Sequence, residues 1–158
     1  MNEISTENLS ALNKKYKATS IIFLAQIFFT IVLVIIGWFY AGNVENAISE
    51  ESLMSLRVGV IFIAITTFVL RRMLMRWDRL KNIALLKGIP GLLNSLQTNA
   101  VILAAMAEII AILGFLIASL GGIKTDVLTF GAVSLILFFI NFPRKGVWEK
   151  IVANLEKI

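Results

Sequence analysis

The chain contains no cysteine and no histidine, only two prolines, and few charges: 16% of its 158 residues are Asp, Glu, Lys or Arg. Without Cys or His it cannot build a Ser-His-Asp or Cys-His nucleophilic site, a Cys/His zinc site, a thiolate iron–sulfur cluster or a His-ligated haem. Without cysteine there is no disulfide, so redox compartment leaves no trace in the composition. The Gly88-Ile89-Pro90-Gly91 cluster reads as a turn and not as a phosphate loop, because it lacks the Lys-Ser/Thr that would hold phosphate and metal. The five methionines are dispersed and fit apolar contact better than a soft-metal path.

Apolar residues are what the sequence has in excess. They make up 58% of the chain, and the mean hydropathy is +0.86. A soluble domain is about half apolar and about a quarter charged, so this surplus needs more burial than a small core provides. A lipid bilayer supplies it. The expected fold is all-α: a single four-helix transmembrane bundle over residues 1–158.

Four runs define the spans. Ile21–Ala41 is free of charge and long enough to cross about 30 Å of hydrocarbon at 1.5 Å per residue. It also exceeds the core of a secretory signal, although Lys14, Lys15 and Lys17 precede it. Gly42 and Asn43 are expected to close it, with Trp38, Phe39 and Tyr40 as an aromatic belt. The second span, about 52–75, has Arg57 and Arg71 snorkelling at its two ends. The third, about 99–120, stops at Gly121-Gly122, and Pro90 is placed to serve as a first-turn proline upstream. The fourth, about 127–142, lies between Asp126 and Pro143. Long continuous apolar runs without period-two alternation exclude a β-barrel.

Charge orients the bundle. The N-terminal tail, the basic connection 76–98 with the adjoining Arg71 and Arg72, and the C-terminal tail (Arg144, Lys145, Lys150, Lys157) hold thirteen of the 15 basic residues. The other two connections carry Glu45, Glu50, Glu51 and Asp126. The positive-inside rule then puts both termini in the cytoplasm of a cell with an inner (plasma) membrane crossed several times. Topology accounts for the pI of about 9.8, so nucleic acid is not an expected partner. Arg71, Arg72, Arg76, Trp77, Arg79 and Lys81 are expected either to extend helix two along anionic headgroups or to form a solvated, topology-setting loop. Trp148 reads as an interface anchor. The three glutamates of the first connection read as a solvated acidic loop, since nothing in their spacing enforces metal coordination. No cofactor and no metal is expected.

One residue stands apart. Glu108 lies nine residues past Asn99, about 13 Å into the third span and near its middle. An ionisable side chain there costs about 2.5 to 3.5 kcal/mol on insertion scales and is a functional-site hypothesis by default. Desolvation favours its neutral, protonated form. It borders a stripe of small residues, Ala100, Ala104, Ala107, Ala111, Gly114 and Ala118, which recur at steps of three and four and let another helix approach closely. Thr30, Thr66 (or Thr67) and Ser134 fall at similar depths and are the candidate hydrogen-bond partners, with Gln26 a weaker one nearer the cytoplasmic surface. Asn94, Ser95, Gln97, Thr98 and Asn99 form a polar approach from the cytoplasmic side.

The run from Ala105 to Ala118, with Ala105-Met106-Ala107-Glu108 ahead of Ala111 and Gly114, resembles the carboxylate-bearing helix of rotary ATP synthase proteolipid (c-type) subunits. That resemblance implies Glu108 as an ion carrier. The likeness covers about 14 residues; helix one lacks the Gly-x-Gly repeats of those subunits, and the basic second connection replaces their short polar loop. The whole layout, including Phe142-Pro143-Arg144 and Trp148-Glu149, resembles small uncharacterised bacterial four-helix membrane proteins.

Two functions follow. The first is a non-enzymatic accessory or assembly protein that associates with itself or another membrane protein through the small-residue face. The alternative is a proton- or cation-coupled carrier component with Glu108 as the binding carboxylate. An enzyme ranks behind both, because only carboxylates, hydroxyls and lysines are there to serve it.

Overall fold

A computed structural model describes residues 4–41 and 48–156. Gly42, Asn43, Glu45 and Lys157 therefore lie outside the described residues. All elements are α-helices, and no strand occurs among the described residues: α1 (Thr6–Ala41), α2 (Glu50–Leu74), α3 (Trp77–Gly121), α4 (Lys124–Asn141) and α5 (Lys145–Leu155). Four helical stretches, Thr6–Ala41, Glu50–Leu74, Trp77–Gly121 and Lys124–Leu155, are long and apolar enough to cross a membrane.

The helices outrun the apolar spans where the flanking residues favour it. α1 begins fifteen residues before Ile21, because Ser5 opens it as a cap: its carbonyl accepts from Leu9 N at 2.9 Å and its Oγ from Asn8 N at 3.4 Å. α2 starts at a second serine cap, with Ser49 Oγ accepting from Ser52 N. The connection 76–98 is not a loop. α2 stops at Met75 and a new helix begins at Trp77, so the Arg71–Lys81 stretch does not continue helix two. That helix is interrupted once, at Gly88, whose φ of 64° and ψ of −174° only glycine adopts without strain. Pro90 then sits in the first turn of the piece that crosses the bundle, where its missing N–H costs nothing. Gly122 ends α3 in the left-handed conformation.

α1, α3 and α4 form a closed three-helix core around α3. Buried positions on α3 recur at steps of three and four (Leu93, Leu96, Ala100, Leu103, Ala107, Ile110, Gly114, Ile117, Gly121), the spacing that keeps one seam against its neighbours. α1 answers with Leu12, Tyr16, Thr19, Phe23, Gln26, Thr30 and Gly37. The ring of Phe23 meets Phe138 and Phe142 edge-on, at 6.0 and 5.6 Å between centroids. α2 packs chiefly on α3; it has no comparable contact with α1 or α4.

The ends of the bundle differ. At one end Glu156 accepts from Asn8 Nδ2 at 2.7 Å and from Ser5 N at 3.3 Å, so the N- and C-terminal segments lie together. Leu74, at the end of α2, is joined to α3 at this end too: its carbonyl accepts from Asn99 Nδ2 at 3.0 Å and from Arg79 Nη1 at 3.3 Å. At the other end Arg57 holds Asp126 in a two-pronged ion pair, with Nη2 to Oδ2 at 2.7 Å and Nε to Oδ1 at 3.0 Å. Lys124 stacks over Trp38 there at 5.5 Å. α5 buries Trp148, Val152 and Leu155, at spacings of four and three, against the bundle. Trp148 is thus no surface anchor: it is 3% exposed and meets Tyr16 edge-on at 6.1 Å. The apolar Lys145–Leu155 face was the signal for α5, masked in the sequence by the preceding proline.

Candidate functional site

Glu108 stands on the α3 face that turns towards α1, part-buried between the helices. Its partner is Gln26. The Gln26 side chain lies close enough to the carboxyl to interact with it. Its amide oxygen, Oε1, is buried and accepts nothing. One turn further along the same face of α1, the Thr30 hydroxyl is fully buried and also without a partner. The core thus holds a carboxyl beside an amide, with an unpartnered hydroxyl one turn along α1.

The partners expected from depth alone are used elsewhere. Ser134 is buried on α4 and donates to the carbonyl of Ala107 at 2.7 Å, a cross-helix bond one residue before Glu108. Thr66 faces outward on α2 and donates to the carbonyl of Phe62 at 2.8 Å, within its own helix. Thr67, its buried neighbour, does the same with Ile63 at 2.9 Å. A hydroxyl in an apolar helix is readily satisfied by the carbonyl four residues back, which removes it from longer-range pairing. α2 packs chiefly on α3 and not on the α1 side where Gln26 stands.

The small-residue stripe lies wholly inside the fold. Ala100, Ala104, Ala107, Ala111 and Ala118 are at most 2% exposed, and Gly114 is buried against Phe130 of α4. Gly131 on α4 and Gly37 on α1 play the reciprocal part, receiving Val34 and Val127. These small residues let three backbones approach within the chain, so they offer no free face to a partner.

The basic residues divide. Arg79 is engaged with the end of α2, and Arg76 pairs loosely with Asp78 at 3.7 Å on the surface. Trp77 and Lys81 are exposed. Arg71 and Arg72, in the last turn of α2, and Arg144, just before α5, form no ion pair among the described residues and line one cleft. Asn99 does not line an open approach to Glu108; it is buried and ties α2 to α3. Among the described residues no group of three or more acidic side chains is arranged to hold a metal ion.

Compared with protein-family models, with curated proteins and with solved structures, the chain matches none of them.

Gln26 was the residue the sequence undervalued. Counting inward from Ile21 places it shallow, but α1 runs parallel to α3 and begins far earlier, so the register across the seam is set by packing and not by the first apolar residue. The i, i+4 pair Gln26 and Thr30 inside an uncharged span was the available signal.

Proposed function

We propose that the chain is a non-enzymatic integral membrane protein, crossing a bacterial-type inner membrane four times with both termini in the cytoplasm, and acting as an accessory or assembly subunit that associates with itself or with another membrane protein. The orientation is supported by the charge: the end that gathers both chain termini carries Lys14, Lys15, Lys17, Arg71, Arg72 and Arg144, while Glu50, Glu51 and Asp126 lie towards the other.

The observation that carries the structural role is the Gln26–Glu108 pair. A neutral carboxylic acid and a primary amide each have one donor and one acceptor to exchange, and the unanswered Oε1 of Gln26 is the acceptor that a protonated Glu108 would fill. A carboxylate would leave that oxygen orphaned in an apolar interior. Glu108 is therefore read as the fastener of α1 to α3. Association then draws on outward-facing helices, above all α2, because the small-residue face is already occupied.

A second reading rests on the same orphaned oxygens. The Glu108 carboxyl next to Gln26, with the unpartnered Thr30 hydroxyl one turn further along α1, offers oxygen ligands for a proton or a monovalent cation, and Glu108 would be the binding carboxylate of a carrier component. Labelling with a hydrophobic carbodiimide separates the two. A fastener resists modification in the folded protein, whatever the Na⁺ concentration, and Glu108→Gln keeps its assembly size in native membranes. A carrier site is modified, is protected by Na⁺ or by high pH, and loses that dependence in Glu108→Gln.

A further inference from the structure

α2 packs chiefly on α3, and α4 turns away at Pro143 into α5, so a cleft opens between α2 on one side and the α4–α5 junction on the other. Its volume is about 660 Å³, within the range of sites that hold a small organic molecule. The floor is apolar, formed by Leu96, Ala100 and Leu103 of α3, with Phe68 and Ile140 as walls. Arg71, Arg72 and Arg144 line it, and no carboxylate does. None of the three guanidinium groups has an ion-pair partner among the described residues. Asn141 also lines the cleft; it is 92% buried by its 8% exposure, and its Oδ1 has no donor.

The three guanidinium groups are exposed at the rim of the apolar cleft, free to receive an anion. Unpaired cations beside an apolar trough call for an occupant with an anionic head and a hydrocarbon tail. Arginine matches phosphate with paired N–H donors, and basic pockets between membrane helices on the cytoplasmic side suit anionic headgroups. A zwitterionic headgroup brings its own cation and gains little from three guanidinium groups.

We propose that this cleft is a binding site for one anionic glycerophospholipid, its phosphate held by Arg71, Arg72 and Arg144 and its acyl chain lying along Phe68 and Leu103. The proposal rests on the membrane reading above, and the test keeps the two apart. The protein is reconstituted in vesicles of phosphatidylcholine with one quarter phosphatidylglycerol, and its resistance to alkaline carbonate is checked first. Trp38 and Trp77, both exposed, are changed to Phe so that Trp148 in the cleft is the sole tryptophan, excited selectively over the two tyrosines. Acyl-brominated phosphatidylglycerol should then quench Trp148 at a local occupancy at least about fivefold above that of equally brominated phosphatidylcholine, the factor expected for each engaged cation. The preference should vanish in R71Q/R72Q/R144Q. If that variant misfolds by circular dichroism, Arg144→Gln alone, outside the apolar spans, should still lower the preference.

Equal quenching by the two lipids in a carbonate-resistant protein overturns the lipid site and leaves the membrane reading standing. Loss of the preference on adding inorganic phosphate overturns it in favour of a soluble anion. Shielding of Trp148 from both lipids overturns it in favour of a helix from another chain. Extraction of the protein by carbonate defeats both the site and the membrane reading.

Discussion

If Glu108 fastens α1 to α3, its energy should be coupled to that of Gln26 and to little else. Replacing Glu108 by Leu takes the carboxyl away from the neighbouring Gln26 side chain and would leave that part-buried amide, whose Oε1 is buried, without its polar neighbour on α3. A lost interhelical hydrogen bond inside a membrane protein is worth about 0.6 kcal/mol on average and about 1.7 at most, and an amide left unsatisfied adds a desolvation cost of about 1 to 3 kcal/mol. Glu108→Leu should therefore destabilise by about 1 to 3 kcal/mol, and Gln26→Leu by a similar amount. The double replacement removes both polar groups and should cost well under the sum, giving a coupling of about 1 to 2 kcal/mol. Glu108→Gln retains a donor and an acceptor towards Gln26 and should stay within about 0.5 kcal/mol of the parent. Reversible unfolding in mixed micelles, followed by far-ultraviolet circular dichroism, measures all four. Additive single effects, or a Glu108→Gln variant as damaged as Glu108→Leu, would refute the pairing.

Three further outcomes follow from the packing. Asp126→Asn should lower stability by about 1 to 2 kcal/mol, less than a fully buried pair because the Arg57 side chain is 23% exposed, and a joint change of Arg57 to Met and Asp126 to Leu should recover most of the loss in the same unfolding assay. Gly114→Ala should cost about 1 to 3 kcal/mol, because its new Cβ would fall on the Cβ of Phe130, whereas Gly59→Ala, with open space around it, should be tolerated. Glu156 is held below the ordinary carboxylate range by the side chains of Ser5 and Asn8, so its stabilisation of the terminal clasp is present at neutral pH and is lost as the pH falls through that lowered value. Amide hydrogen exchange near Leu9 should accelerate at acid pH, and Glu156→Gln should abolish this dependence.

The helical class and the four apolar stretches were legible because a charge-free run such as Ile21–Ala41 has one economical structure in an apolar solvent. The stops were legible too where chemistry forced them: Gly122 and Pro143 end α3 and α4 for backbone reasons that no tertiary contact overrides. What the sequence hid depends on contacts between helices. The stripe from Ala100 to Ala118 announced close packing but not its partner, and the answer, Phe130 and the α1 seam, required knowing which helices touch. Trp148 suggested a surface anchor because tryptophan favours interfaces, and only α5 folding back over Tyr16 shows it enclosed. The cleft beside Arg71, Arg72 and Arg144 joins residues more than seventy positions apart, beyond the reach of any local pattern.

The central claim is that the chain threads a membrane four times with the paired termini on the cytoplasmic side. Its cysteine-free sequence makes the measurement clean. Single cysteines at Ser10, Ser49, Asn82, Thr125 and Lys150, probed in intact cells with a membrane-impermeant maleimide, should react from outside at 49 and 125 only, and at 10, 82 and 150 only after permeabilisation. External labelling at position 10 or 150, or the same accessibility at 49 and 82, would contradict the account.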